Sequence, residues 1–555
     1  MALHRSGELT AASHLYRKII ALDPGNFDAL HLLGVVTAQT GDPAAGLKLM
    51  DQAIQIQPTN AVVRCNRGVT LRTLKQLDAA LLSFDAAIAL KSDYLDAHIH
   101  RGVVLRDLQQ FAAALASYDR ALALSPGHAE TLLRRGHVLC ELGRLADALA
   151  SYDKAIAVKP EAADAYLHRG NALRDLMQLD AALVSYDKAL ALKADYAEAH
   201  LNRGTVLREL MRLEAAQDSY HQAITLKPDY AEAYANRATL RLLQGDFDNG
   251  WRDFEWRWSN PGGSNIRQKR HCPERLWLGE ERLAGKTILL TWEMGLGDTL
   301  QFCRYADELS RQGARVLLEV QRPLTTLLAD LDGVSQVVAN GAEPPTCDFH
   351  CPLLSLPLAL NTRIDTIPAA QGYLRADARK VVQWQRRLGS HARPRVGLVW
   401  SGNPRHSNDR YRSIALEALL AGLPTDLEYV SLQRDVREQD AQTLHARSEV
   451  VDFSGDLRDF SDTAALCRCL DLVISVDTAV AHLSGALGQL TWILLPFHPD
   501  WRWLTQRCDS PWYDSVRLFR QTRLEGWDEV LAGVREELVA WSRAERRPGR
   551  PACAL

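Results

Sequence analysis

The sequence predicts two kinds of structure in one chain, an all-α repeat array followed by an α/β region built on parallel sheets. Three observations predict this division. A 34-residue period runs through the first half, strand and helix signals alternate in the second half, and all thirteen tryptophans lie from Trp251 onward. At 555 residues the chain is long enough for two to four domains.

The composition narrows the class of function. The formal net charge of -3 gives no overall basic excess of the kind that nucleic-acid binding requires. No apolar run approaches the length of a membrane span, and the first ten residues lack a secretory pattern, so we expect a cytoplasmic protein without a transmembrane segment. The ten cysteines lack the paired spacing of a zinc site and are expected to be reduced thiols. Residues 546–555 are interpreted as a basic tail.

Glycine, alanine, an aromatic residue and proline carry the 34-residue period. The recurring glycines are Gly34, Gly68, Gly102, Gly136, Gly170 and Gly204, and the recurring aromatics are Tyr16, Phe84, Tyr118, Tyr152, Tyr186 and Tyr220. This pattern resembles the tetratricopeptide repeat. The resemblance implies pairs of helices that approach closely at the small residues, with the aromatic ring filling the gap and proline following the second helix. We predict seven repeats and a preceding half unit at residues 1–24, in a repeat domain that ends at residue 258.

An arginine precedes the glycine position in six repeats, and an aspartate recurs at the same step on the second helix. The arginines are Arg67, Arg101, Arg135, Arg169, Arg203 and Arg237, and the aspartates are Asp51, Asp85, Asp119, Asp153 and Asp187. We predict that they pair between helices as a structural ladder. Exposed pairs of this kind add little stability each.

The position before that arginine faces the concave groove in tetratricopeptide repeats, and here it is mostly polar. Its residues are Leu32, Asn66, His100, Arg134, His168, Asn202 and Asn236. In the related repeat domain of O-linked N-acetylglucosamine transferases, groove asparagines hold a peptide backbone. Two interpretations stay open, a groove for a peptide or protein acceptor and a solvated polar face.

The second half is divided from the sequence into a turn-rich linker at residues 259–283, a first lobe at 284–385 and a second lobe at 394–545. Apolar strands alternate with amphipathic helices in both lobes, which predicts parallel sheets. In open parallel sheets, ligands bind at the carboxyl ends of the strands. Each lobe carries a loop of unusual composition at that place.

The first such loop, EMGLGD, contains Gly295, Gly297 and Asp298. It lacks the third glycine of a dinucleotide fingerprint and the lysine of a P-loop. An acidic residue at the place where phosphate would bind disfavours a nucleotide there and favours a chemical role toward an acceptor hydroxyl. The second loop, DTAVAHLSGALG, places Asp477 and Thr478 as N-cap candidates of a helix whose free N–H groups would seat a phosphate.

The two loops together resemble glycosyltransferase family 9, the bacterial heptosyltransferases, whose GT-B fold has two Rossmann-like lobes. The order of repeats, WEMGLGDTLQFCRY, VGLVWSGNP and PFHPDWRW is similar to bacterial tetratricopeptide-containing glycosyltransferases. The resemblance implies that Asp298 is the general base, although the same residue is also interpretable as a helix cap. It implies no metal and no cofactor beyond the nucleotide-sugar co-substrate.

The resemblance also implies a donor site in the second lobe. Asp477, Thr478 and His482 would hold the donor diphosphate, with Ala479 where the family usually has Gly. Further candidates are Ser401 and Arg412 in WSGNPRHSNDRYRSI for phosphate, Gln433 for ribose or base, and Asp500, Trp501 and Arg502 for the sugar. The aromatics of that last group, and His482, are equally interpretable as packing residues.

The leading expectation is an inverting, metal-independent glycosyltransferase whose partners are a nucleotide-sugar donor and a protein or glycan acceptor presented by the repeats. Two alternatives remain from the sequence. One is a non-catalytic repeat scaffold with a degenerate transferase domain. The other is an enzyme of the O-linked N-acetylglucosamine transferase type, which shares the domain order.

Overall fold

The computed structural model describes residues 2–259, 275–368, 371–390, 392–406, 408–524 and 526–545. The predicted tail at 546–555 and residues 260–274 of the predicted linker lie outside the described residues. The chain divides into two compact units, Met1–Lys227 and Pro228–Leu555.

The first unit is all-α in its described residues. After α1 (Ala2–Arg5) and α2 (Leu9–Leu22), the helices alternate between 13 and 14 residues. They are α3 (Phe27–Gln39), α4 (Pro43–Ile56), α5 (Ala61–Thr73), α6 (Leu77–Leu90), α7 (Leu95–Asp107), α8 (Phe111–Leu124), α9 (Ala129–Glu141), α10 (Leu145–Val158), α11 (Ala163–Asp175), α12 (Leu179–Leu192), α13 (Ala197–Glu209) and α14 (Leu213–Leu226). The predicted all-α repeat array is thereby confirmed.

The glycine and aromatic positions of each repeat are in contact. A Cβ atom on Gly136 would lie 2.2 Å from Cε1 of Tyr152, whose ring is buried. The same approach recurs at Gly68, Gly102, Gly170 and Gly204. Only a residue without a side chain lets the ring of the second helix lie this close to the first helix. The 34-residue period of the sequence therefore reflects a packing contact that recurs in the repeats.

The arginine ladder is confirmed in the first unit. Arg135 Nε donates to Asp119 Oδ1 at 2.6 Å, and its Nη1 donates to Ser151 Oγ at 2.6 Å. Four further arginines, Arg67, Arg101, Arg169 and Arg203, make the same two bonds at 2.6 or 2.7 Å. Each arginine therefore joins the second helices of two successive repeats, and the serine partner is a feature that the sequence analysis missed.

The second unit contains the seventh helix pair and both sheets. Its helices are α15 (Ala231–Gln244), α16 (Phe247–Phe254), α17 (Leu296–Phe302), α18 (Tyr305–Arg311), α19 (Thr325–Leu328), α20 (Leu356–Ala359), α21 (Ala378–Leu388), α22 (Asp409–Arg412), α23 (Leu416–Leu420), α24 (Glu438–Ala446), α25 (Phe460–Cys467), α26 (Ala479–Ala486) and α27 (Trp527–Glu545). Its strands are β1 (Arg275–Leu276), β2 (Thr287–Thr291), β3 (Arg315–Val320), β4 (Val334–Ala339), β5 (Phe349–Pro352), β6 (Arg395–Val399), β7 (Glu428–Ser431), β8 (Val450–Asp452), β9 (Leu472–Val476), β10 (Thr491–Leu495) and β11 (Val516–Arg520).

The strands form two parallel sheets, with strand orders β1-β5-β2-β3-β4 and β11-β10-β9-β6-β7-β8. Every named pairing is parallel, as the alternation of strands and helices predicts. The central strands β6, β9 and β10 are buried along their whole length. Loops that follow the strands therefore gather at the carboxyl edge of each sheet.

Two boundaries differ from the sequence prediction, whereas the start of the helix after β9 agrees with it. Strand β1 lies inside the predicted linker and pairs with β5. The helix predicted over 299–313 is two helices, α17 and α18, because Arg304 at the break is buried and donates to the carbonyls of Gln301 and Trp512, both at 2.8 Å. The helix after β9 begins at Ala479, with Thr478 as its N-cap.

The seventh repeat, α15 and α16, groups with the sheets rather than with the other repeats, so the compact unit begins about 30 residues before the predicted domain boundary. Trp251 on α16 is buried, donates from Nε1 to the carbonyl of Thr362 at 3.1 Å, and meets Trp501 edge to face at 5.2 Å. Arg237 of this repeat has His221 where earlier repeats have aspartate, and it pairs instead with Asp253, at 2.7 and 2.9 Å.

In the described part of the chain, we find no helix that combines the length and the apolar character needed to cross a membrane.

Candidate functional site

The loops after the central strands of the two sheets meet within the second unit. Helix α17, which carries the GLGD sequence, packs against the first turn of α26. A Cβ atom on Gly297 would lie 2.8 Å from Cδ2 of His482 and 3.5 Å from Cα of Ala479. The absence of a side chain at Gly297 is therefore what allows the two predicted loops to touch. Their meeting point lies at the carboxyl edges of both sheets.

Asp298 lies in the first turn of α17, and both of its oxygens have partners. Gly295 N donates to Oδ2 at 2.7 Å, which caps the helix, and Arg502 donates from Nη2 to Oδ1. The side chain is 17% exposed. Burial raises the pKa of Asp298, and the Arg502 guanidinium opposes that rise. The capping role that the sequence offered as an alternative is present, with the helix beginning at Leu296 rather than at Thr299.

Arg502 connects the two sides of this meeting point. It lies in a 3-10 turn, Trp501–Trp503, after β10, and its side chain is 9% exposed. Besides Asp298, it donates from Nε to Gln301 Oε1 at 2.6 Å and from Nη1 to Asp500 Oδ1 at 2.8 Å. The resemblance implies Arg502 only as a residue of the sugar pocket, whereas in the structure it binds the predicted base, Asp298.

Two further carboxylates of the second sheet lie close to this arginine. Burial, and then the charge of Asp500, raise the pKa of Asp477 to about 6, while Arg412 opposes the rise. Burial alone would raise the pKa of Asp500, but its pairing with Arg502 holds that pKa below its usual value. Two carboxylates of one site are thus driven in opposite directions, an arrangement that is common where acid and base roles are divided.

Thr478 and His482 occupy the first turn of α26. The Thr478 hydroxyl lies 3.1 Å from Ser475 Oγ and does not cap the helix. His482 is buried, with Nδ1 3.0 Å from the Tyr513 hydroxyl and its ring stacked on Trp503 at 5.3 Å. Burial, assisted by Arg502, lowers the pKa of His482 to about 3, so its ring is neutral. The interpretation of His482 as a satisfied core residue is the one that its contacts favour.

Arg412 is directed toward the start of α26. Its Nη1 donates to the backbone carbonyl of Asp477 at 2.8 Å, and its guanidinium lies so close to Gly402 that a Cβ atom there would be 2.6 Å from Nη2. Its Nε is buried and has no hydrogen-bond partner. The predicted cation therefore does lie beside the predicted phosphate seat.

Ser401 and Gln433 lie at the ends of neighbouring strands, β6 and β7. The Gln433 side chain accepts from Ser401 N at 3.3 Å and donates to the Ser401 carbonyl at 3.1 Å. Both ends of the Gln433 amide are thus engaged with the backbone of Ser401, and its contact to ribose or base stays a prediction. The Ser401 hydroxyl is buried without a partner.

A buried ion pair lies next to the start of the GLGD loop. Arg257, in the 3-10 turn after α16, donates from Nε to Glu293 Oε2 at 2.8 Å and from Nη2 to Glu293 Oε1 at 3.1 Å. Leu354 N donates to the same carboxylate at 2.9 Å, and Glu255 adds a second acid to Arg257. Glu293 lies two residues before Gly295, so this network fixes the start of the loop.

The predicted groove residues of the first unit lie on successive first helices and are half-buried. Most already have neighbours within the unit. Asn66 Nδ2 lies 2.8 Å from His31 Nε2, and Asn202 donates to Asn171 Oδ1 at 3.0 Å. Arg134 donates to Glu130. The ring centroid of His100 lies 5.8 Å from that of Phe84, and the ring centroid of His168 lies 4.1 Å from that of His137. Asn236 lies in the second unit, on α15.

The partners of the buried charges are not predicted from the sequence. The Arg257 to Glu293 pair and the Arg502 contacts to Asp298 and Gln301 join residues far apart in the chain. The sequence offers one indirect signal, because charged residues within apolar or aromatic stretches, such as WEMG and PDWRW, need partners if they are buried.

Tetratricopeptide repeat families match the chain over most of its first 230 residues. A family described as tetratricopeptide repeat matches residues 1–61 and 65–129, one described as TPR repeat matches 136–176 and 170–210, and another tetratricopeptide repeat family matches 197–230. The first 230 residues therefore contain tetratricopeptide repeats, and a region of parallel sheets follows them.

One curated relative is protein FlbA of Caulobacter vibrioides, which is 26% identical over 323 residues. The match covers 53% of this chain and 53% of FlbA, so the chain spans about half the length of this relative. Among solved structures, YrrB, described as a TPR protein with an unusual peptide-binding site, is 23% identical over 33% of this chain and 95% of its own, with a TM-score of 0.30. A tetratricopeptide repeat protein from Parabacteroides merdae is 19% identical over 43% of this chain and 94% of its own, with a TM-score of 0.37.

Proposed function

We propose that the second unit is an inverting, metal-independent glycosyltransferase that takes a nucleotide-sugar donor, and that the repeats present its acceptor. One observation carries the proposal. The GLGD loop of the first sheet and the start of α26 in the second sheet touch at Gly297 and His482. Ligands of parallel α/β sheets bind at this edge, and two such edges face each other here, as in the two-lobed GT-B arrangement.

Asp298 is the general base of this proposal. It would take the proton of the acceptor hydroxyl as that oxygen attacks the anomeric carbon of the donor sugar. A carboxylate accepts more than one hydrogen bond per oxygen, so the bonds from Gly295 and Arg502 leave capacity for the acceptor. Burial raises the pKa of Asp298, which brings its basicity closer to the operating pH.

The donor diphosphate would lie between Arg412 and the first turn of α26. The Nε of Arg412 is buried without a hydrogen bond, although it lies 3.7 Å from Asp409 Oδ1, and the Ser401 hydroxyl is buried without a hydrogen-bond partner. Buried polar groups of this kind are satisfied when a ligand supplies the missing atoms. A guanidinium also stabilises the charge of a leaving nucleotide without a metal.

Asp477, which lies just before α26, is also suited to a site that binds the donor diphosphate. A diphosphate would meet Asp477, whose pKa is raised to about 6 by burial and by Asp500. An acid with that pKa takes up a proton more readily than an ordinary aspartate when a second anion arrives. Donor binding would therefore be accompanied by proton uptake near neutral pH.

A non-catalytic repeat scaffold is the second candidate. The observation that favours it is the pairing of Asp298 with both Arg502 and Gly295, because a residue that only holds two sheets together would make the same contacts. The half-buried asparagines and histidines of the repeats serve either function. Donor binding separates the two candidates.

The test is nucleotide release from a panel of nucleotide sugars, with chelator present and cell extract as acceptor. We expect release of one nucleotide by the wild-type chain, and a loss of about 10² to 10⁴-fold in Asp298→Asn while calorimetry still detects the donor. Asp307→Asn is the matched control, because Asp307 lies on the next helix in an exposed pair with Arg311. If no donor of the panel binds, the transferase proposal fails in favour of the scaffold.

A further inference from the structure

Arg502 has the contacts of a residue that acts through another residue. Its three guanidinium nitrogens each have a side-chain acceptor. Nη2 and Nε reach Asp298 and Gln301 on α17, and Nη1 reaches Asp500 in its own turn. The guanidinium plane also lies on the Trp501 ring, with Cζ 4.3 Å from the ring centroid. No rotation about the side chain keeps all of these contacts, so the position of the cation is fixed from both sheets.

The turn that carries Arg502 is itself held from a second direction. Asp500 Oδ1 accepts from Arg502 N at 3.0 Å and caps the turn. Arg520 on β11 donates from Nη1 to the carbonyl of Leu504 at 2.9 Å and from Nη2 to the carbonyl of Trp503. Leu504 has a φ of +54°, a conformation that a leucine adopts only where its surroundings impose it. The fold thus maintains a strained turn at the place where Arg502 reaches the other sheet.

We propose that Arg502 is the positioning residue of Asp298: it crosses from the second sheet to fix the carboxylate of the first and to hold it as an anion. This inference rests on the proposed transferase function and deepens it. Without Arg502, Gly295 N still fixes Oδ2 of Asp298, but Oδ1 loses its side-chain donor. Arg502 fixes the other oxygen, so that the base faces the meeting point of the two sheets in one orientation.

The groups that face Asp298 determine how its ionisation responds to Arg502. Arg502 and Asp500 face it from the turn after β10, and His406 faces it from the loop after β6. His482 on α26 packs against the neighbouring Gly297. Asp500 is anionic and His482 is neutral, and burial followed by the charge of Arg412 lowers the pKa of His406. Arg502 is therefore the main cation that stabilises the anionic form of Asp298.

The experiment compares Arg502→Met, Arg502→Lys and the matched control Arg520→Met in the full-length chain. Arg520 is a partly buried arginine that braces the same turn without touching Asp298, so its loss reports the structural contribution alone. The readouts are the pH profile of nucleotide release, KM for the donor, and hydrogen exchange of residues 295–302.

For Arg502→Met we expect kcat to fall by about 10²-fold with KM for the donor within about threefold of wild type. The acid limb of the profile should move to higher pH by about one unit or more, because Asp298 loses the cation that favours its anionic form. Arg502→Lys should lose less kcat than Arg502→Met and should show a smaller shift of the acid limb. Arg520→Met should leave the acid limb where it is, even where it lowers stability.

Two kinetic results and one hydrogen-exchange result would overturn the inference. If Arg502→Met keeps the wild-type pH profile, or if it raises KM with kcat unchanged, Arg502 is a packing residue or a donor ligand. Hydrogen exchange separates this failure from failure of the proposed function. If the wild type releases no nucleotide, faster exchange of 295–302 in Arg502→Met than in Arg520→Met still supports positioning of the loop by Arg502, whereas equal exchange in the two variants removes it.

Discussion

The repeats and the sheet region use arginine–carboxylate pairs in opposite ways. In the first unit, five arginines make the same pair with aspartate at the same 34-residue step, and each pair is partly exposed. In the second unit, Arg257 and Arg502 each pair with two carboxylates, and their pairs with Glu293 and Asp298 are buried and occur once each. A repeated, exposed pair contributes a little at many places, whereas a single buried pair fixes one local geometry. The difference separates a structural ladder from a candidate site.

The largest effect that this comparison predicts is in the buried pair behind the GLGD loop. Arg257→Met leaves the Glu293 carboxylate buried without its cation, so we expect a loss of about 3 to 5 kcal/mol in unfolding free energy. Burial already raises the pKa of Glu293, so the loss should be smaller at pH 5, where the carboxyl group takes up a proton more easily. Tryptophan fluorescence measures this unit selectively, because all thirteen tryptophans lie from Trp251 onward.

The control for that prediction comes from the ladder. Arg135→Met removes one exposed pair in the first unit, whose aspartate stays in contact with water. Its loss of unfolding free energy should be less than about 1 kcal/mol, measured by far-UV circular dichroism because the first unit contains no tryptophan. Equal losses in Arg257→Met and Arg135→Met would remove the distinction between the two kinds of pair.

A close packing contact in the repeats is expected to give the next largest effect. Gly136→Ala places a methyl group against the buried ring of Tyr152, so the ring or the helix must move, at a cost of about 1 to 3 kcal/mol that exceeds the helix propensity gained. Far-UV circular dichroism should report earlier unfolding of the helices. Gly127→Ala, which has open space around the new Cβ atom, should change the midpoint little. The reverse ranking would contradict the packing account.

Asp477→Asn tests the sign of a charge effect in the sheet region. The folded-state pKa of Asp477 is raised to about 6, above about 3.9 in an unfolded chain, so the folded chain binds more protons between those values. Stability from this group is therefore lost as the pH rises through about 6, and the charged form is a penalty at pH 8. We expect Asp477→Asn to stabilise the second unit by about 1 to 3 kcal/mol at pH 8 and by less at pH 5.

Asp500→Asn is the matched control with the opposite sign. Its pKa is held below the usual value by Arg502 in spite of burial, so its contribution to stability is present above the unfolded pKa and lost as the pH falls through the folded pKa. The substitution should destabilise the second unit at pH 8. If both variants shift the fluorescence midpoint in the same direction at pH 8, the assignment of the two carboxylates is wrong.

The repeats were more predictable from sequence than the site, for a physical reason. The contact of Gly136 with Tyr152 and the pairing of Arg135 with Asp119 recur at one spacing, so the sequence contains several copies of the evidence. The partner of Arg502 is 204 residues away and occurs once. The loops that hold Asp298 and Thr478 were predicted because they follow apolar strands, but which side chain crosses between the sheets depends on packing that a single sequence does not encode locally.

The smallest expected effect belongs to one step of the ladder, and it tests whether the ladder is as dispersed as its repetition implies. Asp119→Ala removes the acceptor of Arg135 Nε while Ser151 still accepts from Nη1, so the guanidinium keeps one partner and its contact with water. We expect a loss of less than about 1 kcal/mol, measured by urea unfolding with far-UV circular dichroism, and a still smaller loss at 1 M salt. A double-mutant cycle of Asp119→Ala with Ser151→Ala should show a weak coupling energy, because the two acceptors lie on different helices and Arg135 can keep its hydrogen bond to either acceptor when the other is removed. A loss of several kcal/mol that high salt does not reduce would mean that each ladder step behaves like the buried pair at Glu293. The two units would then differ in how many arginine–carboxylate pairs they contain and not in how strongly each pair stabilises the fold.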